Sequence, residues 1–283
     1  MRFVVAVCFF ALPLCSSPVA FDQARVLYER TDYAASLRIL NSGPAHDAAS
    51  IALMGRNYFM LGDYGNAIKC FEEAVTLVPR SSEYELWLGR TYGRKAETGG
   101  WLSAPSNASK ARQHFEKAAA LDPHNAEALN DLFDYYLDAP GFLGGGEDKA
   151  EAIARRIAGE RPAESRYELG RLAERRKQYA AAEAYLREAI QLAPGQVGRV
   201  LDLARYLARR KRVEESDACF AQAADMAPRD PGVAFARAKT YIEQRRNPEE
   251  ARRLLRRYLE SSLTPDDPPK SAAEKLLSRA PAE

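Results

Sequence analysis

Ile51-Ala52-Leu53-Met54-Gly55-Arg56-Asn57-Tyr58, followed by Ala67-Ile68-Lys69-Cys70-Phe71-Glu72-Glu73-Ala74 and then by Pro79, is the stretch that decides the fold. Ile51, Met54, Gly55 and Tyr58 recur at the spacing of one helix face, and so do Ala67, Phe71 and Ala74. The pattern predicts two short antiparallel helices. Gly and Ala mark where their backbones approach, and the large apolar residues fill the space between. A unit this small cannot bury its apolar face alone, so it must stack on others like itself.

The same order returns along the chain. Leu88-Gly89 and Tyr92 precede Ala111, Phe115, Ala118 and Pro123. Leu129, Leu132-Phe133 and Tyr136 precede Ala150, Ala154 and Pro162. Leu169-Gly170 precede Ala182, Leu186, Ala189 and Pro194; Val200, Leu203-Ala204 and Leu207 precede Ser216, Phe220, Ala223 and Pro228. Pro194 and Pro228 lie 34 residues apart. Weaker copies stand at the ends: Ala24, Leu27, Tyr33, Ser36 and Leu40 at one, Ala234, Ala238, Tyr241, Ala251 and Leu255 at the other. Prolines after the second helices stop each helix and set the turn. No stretch alternates as a strand would.

The order W-x2-L-G-x2-Y, A-x3-F, P is that of the tetratricopeptide repeat (TPR), which these units resemble. The resemblance implies an all-α, right-handed superhelical solenoid of about seven helix hairpins. The array is expected over residues 21–262, with a linker and a C-terminal capping helix (about Ser271–Ser278) in 263–283. It further implies a non-enzymatic scaffold or adaptor whose first helices line a concave groove for an extended protein segment. The family's carboxylate clamp uses Lys and Asn at set places; this chain offers mostly Arg, so that specificity does not carry over.

In the resemblance, the residue after the small Gly or Ala slot points into the groove. From the second unit on it is Arg56, Arg90, Asp134, Arg171, Arg205 and Lys239, and one turn further come Arg94, Arg175 and Arg209. Three residues before the slot are largely apolar positions, among them Leu86, Tyr167 and Phe235. An arginine ladder over an apolar floor suits an acidic segment or a free carboxylate of another protein. Asp131, Asp134 and Asp138 interrupt the ladder. The alternatives are a solvated face whose arginines pair with Glu168 and Glu174, and a module for a small molecule, lipid or acidic polymer.

From the Tyr slot to the next Ala slot is nine residues in a regular unit, as from Tyr58 to Ala67, but 19 from Tyr92 to Ala111 and 14 from Tyr136 to Ala150. Insertions are therefore expected near 97–108 and 138–147, side by side on one edge. They carry Trp101, Leu102, Phe142 and Leu143. These either pack on each other and the helix ends or form a second partner-binding patch. Gly141 to Gly146 lacks the lysine-hydroxyl pair of a phosphate loop, and no strand precedes it.

Composition adds bounds. With 46% hydrophobic and 28% charged residues the chain is an ordinary soluble type, and a net charge of +2 gives no global footprint for nucleic acid. Arg2, the apolar run Phe3–Leu14 and the small Ser16, Ser17 and Ala20 read as a secretory signal over residues 1–20. The run is shorter than the roughly 20 residues that span a bilayer. The expected location is therefore the periplasm or the medium. Cys70 and Cys219 would then remain as unpaired helix thiols. His46, His114 and His124 show neither metal-ligand spacing nor a triad, so no cofactor, metal or catalytic residue is expected.

Overall fold

The computed structural model describes residues 18–42 and 47–279. Among them are fifteen α-helices, two short 3-10 turns and no strand. Most of the expected signal segment and His46 lie outside the described residues. The chain divides into two compact units, Met1–Pro79 and Arg80–Glu283.

The first unit holds α1 (Pro18–Glu29), α2 (Tyr33–Ser42), α3 (Ala48–Met60) and α4 (Tyr64–Leu77). Each consecutive pair α1–α2 and α3–α4 forms a hairpin, and α2 packs on α3. Ala24, Tyr28, Leu40 and Leu53 form one core cluster. In the second hairpin Ile51, Gly55, Ala67, Phe71 and Ala74 are all buried, the residues that the motif assigns to the interior. Buried Asn57 donates from Nδ2 to Ser36 Oγ at 2.9 Å, tying α3 to α2 by a polar contact.

The second unit holds five hairpins. They are α5 (Ser82–Thr98) with α6 (Ala104–Leu121), α7 (Ala126–Asp138) with α8 (Glu147–Arg156), α9 (Pro162–Arg175) with α10 (Tyr179–Leu192), α11 (Val197–Arg209) with α12 (Val213–Met226), and α13 (Pro231–Glu243) with α14 (Pro248–Glu260). Every second helix also touches the first helix of the next hairpin, so the hairpins of this unit stack in sequence. The final helix, α15 (Lys270–Arg279), packs on α13 and α14 through fully buried Ala273 and the half-buried Leu276 and Leu277. It covers the face that a following hairpin would otherwise occupy.

Helices α6, α10 and α12 each stop two residues before Pro123, Pro194 and Pro228. Pro162 behaves differently. It opens α9 in the first turn, where its missing N–H is not needed, and a 3-10 turn at Ile157–Gly159 ends the preceding hairpin instead. The first insertion also differs from expectation. Its residues lengthen α5 to Thr98 and start α6 at Ala104, so the connection is only 99–103. Lys95-Ala96-Glu97 and Asn107-Ala108-Ser109-Lys110 carry no helix breaker, and helix absorbs them. The second insertion stays a loop, held by hydrogen bonds from Gly146 N to Tyr136 O (2.8 Å) and from Tyr135 Oη to Leu143 O (2.9 Å).

Five hairpins share one joint. Thr31, Gly62, Lys177, Lys211 and Arg245 adopt left-handed backbone, with φ between 53° and 79°. In each, the next residue's N–H reaches back to the carbonyl five positions earlier, as Lys211 is followed by Arg212 N to Leu207 O (3.0 Å). This is a Schellman closure of the first helix. Only one of the five joints uses glycine.

Of the glycines that face a large side chain across a hairpin, Gly89 is the tightest: an added Cβ would sit 2.7 Å from the Phe115 ring. Gly89→Ala should therefore cost about 1–3 kcal/mol of stability. In chemical denaturation the added Phe115→Leu change should recover part of that loss. Equal midpoints for the parent and Gly89→Ala would show that the ring is not confined there.

Candidate partner-binding groove

The first helices α7, α9 and α11 place a cleft of about 330 Å³ between them. Arg171, Arg175, Arg205 and Arg209 line it together with Asp138, Glu174 and Asp202, so four guanidiniums face three carboxylates. Leu137 and Tyr167 contribute the apolar surface. The ladder positions Arg171 and Arg205, with Arg175 and Arg209 one turn on, are thus brought together. Arg90 and Arg94 lie on α5 and Lys239 on α13, outside this cleft. Arg56 lies half-buried on α3 of the first unit.

The guanidiniums are not bare. Arg90 Nε donates to Asp131 Oδ2 at 2.5 Å and Nη1 donates to Glu127 at 2.8 Å, with the plane over Trp87. Arg94 pairs with Glu97. Arg171 donates to Asp134 and, at 3.2 Å, to Glu168, and it stands near the rings of Phe133 and Tyr167. Arg209 grips Glu174 in bidentate fashion at 2.8 and 2.7 Å. Two pairings are looser. Arg175 reaches Asp138 only at 3.9 Å, and Arg205 bonds Asp202 of its own helix at 2.9 Å through a single nitrogen. Arg175 and Arg205 keep 52% and 42% of their side chains exposed. Lys239 has a similarly long contact with Glu243, 3.8 Å.

Arg199 belongs to this network although the repeat register does not single it out. It pairs with Glu164 and with Asp202 at 3.3 Å, and its guanidinium lies 4.5 Å from the Tyr167 ring centre. The Arg199, Asp202, Arg205 run at three-residue spacing is the sequence signal that would have found it. Of the expected floor, only Tyr167 lines the cleft; Leu86 and Phe235 are 2% and 8% exposed and support the face from inside.

Burial shapes the acids. It pushes Asp131 and Asp202 above the usual carboxylate range despite their arginine partners. Glu168 is nearly inaccessible, and burial pushes it up to about 8. Arg171, Arg199 and Asp134 also face it; Arg171, the partner that would lower it, is shared with Asp134. Elsewhere, Glu85 is fully buried but lies 2.7 Å from His114 Nδ1 and 2.5 Å from Lys117 Nζ, and these hold it below the usual range. His114 stacks flat on Tyr92, as a packing residue.

On the insertion edge Trp101, Leu102 and Phe142 are 83%, 77% and 82% exposed, so they do not pack on the helix ends. Leu143 is half-buried, and its carbonyl anchors the loop to Tyr135. Apart from Asp138, no inserted residue lines the cleft. Among the described residues no His, Cys, Asp and Glu group could hold a metal ion, and no helix is long and apolar enough to cross a membrane.

Stacked helical hairpins with a small residue facing a large one define a helical-repeat protein. The tetratricopeptide repeat profile matches residues 48–81, 163–196 and 201–268. Those stretches carry tetratricopeptide repeats, and proteins built from such repeats mediate protein–protein interactions and are generally non-enzymatic. The chain is similar to Superkiller complex protein 3 of Mus musculus, 35% identical over 94 residues (33% of this chain), and of Homo sapiens, 32% over 123 residues (43%). The matches span only 6% and 7% of those relatives. Among solved structures, a tetratricopeptide repeat protein from Parabacteroides merdae aligns with a TM-score of 0.61 at 14% identity, covering 93% of this chain and 97% of that one. A thermophilic TPR protein of Thermus thermophilus aligns at 0.54 and 20% identity, covering 67% and 97%. Those likenesses concern the fold.

The pH dependence of folding tests the buried carboxyl. Between the ordinary glutamate value of 4.5 and about 8, the folded chain keeps a proton on Glu168 that the unfolded chain releases. Stability should therefore fall as pH rises through that window. Glu168→Gln should remove that part of the slope and stabilise the chain at pH values above it by roughly 2–4 kcal/mol. Denaturation curves at acid and alkaline pH that shift in parallel for parent and variant would reject this.

Proposed function

We propose that this protein is a non-enzymatic scaffold or adaptor of the cell envelope that holds an extended, carboxylate-bearing segment of a partner protein in the α7–α9–α11 cleft. The observation that carries the reading is the pair Arg175 and Arg205. Both are substantially exposed and both line the cleft. Their internal contacts are long or made through one nitrogen, and an incoming carboxylate can replace them. A guanidinium gains more from a forked contact than from one hydrogen bond. The acids Asp138 and Asp202 hold the two side chains in place until the partner arrives. Tyr167 supplies the apolar wall for a neighbouring side chain. The insertion loops do not close over the cleft, which suits a continuous segment better than an enclosed small molecule. The exposed Trp101, Leu102 and Phe142 offer a second contact for the same partner. Export rests on the charged, apolar and small-residue order of residues 1–20, and N-terminal sequencing of the mature protein from the envelope tests it.

A fluorescent peptide carrying consecutive glutamates and a free C-terminal carboxylate is the direct probe. It should bind with an affinity that falls steeply with salt. Arg175→Ala combined with Arg205→Ala should weaken binding by about tenfold or more, roughly 1.4 kcal/mol. If the amidated all-glutamine peptide bound equally well, or the double variant bound like the parent, the cleft would not be a carboxylate site.

A further inference from the structure

The turn joining α12 to α13 and the facing side of α14 enclose a second cavity of about 260 Å³, separate from the groove. Four arginines line it: Arg229 on the turn, Arg237 on α13, and Arg253 and Arg257 on α14. Two of them are fixed by neutral acceptors. Arg237 Nε donates to Tyr241 Oη at 2.8 Å, and Arg257 Nη2 donates to the Pro228 carbonyl at 3.2 Å. Arg253 gives Nε and Nη2 to Glu250, leaving Nη1. Arg229, Arg237 and Arg257 form no ion pair among the described residues. The carboxylate that lines the cavity, Asp230, caps α13 by accepting from Gly232 N at 2.7 Å, so the helix end is already satisfied.

Arginines of the groove are met by carboxylates; here four cations share Glu250, an engaged Asp230 and, behind Tyr241, an Asp217 already gripped by Arg246. Arg253 and Arg257 are one turn apart on the same helix, a like-charge spacing that repels. Such an excess, oriented by hydrogen bonds, is complementary to an anion. One carboxylate fills one guanidinium fork, whereas a phosphate offers three strong acceptor oxygens and nearly two charges. The cavity wall beneath is apolar, formed by buried Val233 and Leu254.

We propose that this cavity binds a phosphate monoester, its dianionic head held by Arg229, Arg237 and Arg257 and its apolar group laid on Val233 and Leu254. The site is independent of the groove. The same headgroup chemistry occurs in soluble esters and in phosphatidate, and the experiment separates them. Calorimetric titration of the full chain with phenyl phosphate should show saturable binding with a dissociation constant below about 1 mM. Benzoate should bind at least about tenfold more weakly. Arg229→Glu with Arg257→Glu should abolish phenyl phosphate binding, whereas Arg175→Ala with Arg205→Ala should leave it unchanged. The milder Arg229→Ala, at an exposed turn, should weaken binding without altering helicity, which covers the case of a misfolded double variant. Sedimentation with phosphatidylcholine vesicles, with and without phosphatidate, reads the lipid source: recruitment by phosphatidate alone, lost in the double variant, also supports the site. Absence of binding to phenyl phosphate and to phosphatidate, equal affinity for benzoate, or binding unchanged by both arginine variants would overturn it.

Discussion

Every hairpin depends on two helix backbones meeting where one of them has almost no side chain. Gly55 under Phe71, Gly89 under Phe115 and Gly170 under Leu186 leave no room for a methyl group without displacing the facing side chain. Fully buried alanine takes the small position at Ala204 near Phe220 and Ala238 near Leu255, while the α7–α8 hairpin exchanges the roles, with Phe133 on its first helix and Ala154 on its second. Close approach brings the large residue into the gap and fixes the pairing of the two helices. The next hairpin then finds a flat apolar face to stack on. Within the second unit this repeats until α15 closes the last face. Ser216 shows how a polar residue fits the same slot: its Oγ donates to the Ala204 carbonyl at 2.8 Å, so burial leaves no donor unmet.

Charge is arranged by the same register. Residues just past the small slot stand on the inner side of the first helices, and so do residues one turn later. Arginines there meet acids of the neighbouring first helix: Arg90 with Asp131, Arg171 with Asp134, Arg175 with Asp138, Arg209 with Glu174. Asp131, Asp134 and Asp138 on α7 are thus the counter-row of the ladder. A face built this way is close to neutral overall and strongly patterned locally. Under the proposed function such a face selects by geometry, since the partner's carboxylate has to displace one already in place.

The fold was legible because its signal is distributed. No single unit carries the motif in full, yet most keep the small slot, the large partner and the trailing proline, and the fourth exchanges small for large with Phe133 and Ala154. Helix boundaries at the insertions were less legible. Ten additional residues look like a loop when counted from Tyr92 to Ala111, but they contain nothing that stops a helix between Lys95 and Thr98. The groove was legible as a row of positions and not as a set of ion pairs. Register places Arg171 and Asp134 on one face; whether they touch depends on how far α7 and α9 are rotated and spaced. Depth was also hidden: Leu86 and Tyr167 occupy equivalent slots, but one is buried and the other lines a cleft. The cavity at Arg229 and Arg257 brings a turn to a helix two elements along the chain, a juxtaposition that periodicity does not express.

Four of the left-handed joints, at Thr31, Lys177, Lys211 and Arg245, do without the residue best suited to that backbone. An ordinary residue there costs roughly 1–2 kcal/mol. Three of the four are cationic and sit at the carbonyl end of a first helix, where positive charge gains about 0.3–1 kcal/mol from the helix dipole. That gain is electrostatic and lies at the surface, so dissolved ions weaken it. These three joints therefore soften as ionic strength rises, while the glycine joint at Gly62 does not, and the array's local rigidity becomes a function of its surroundings as well as its sequence.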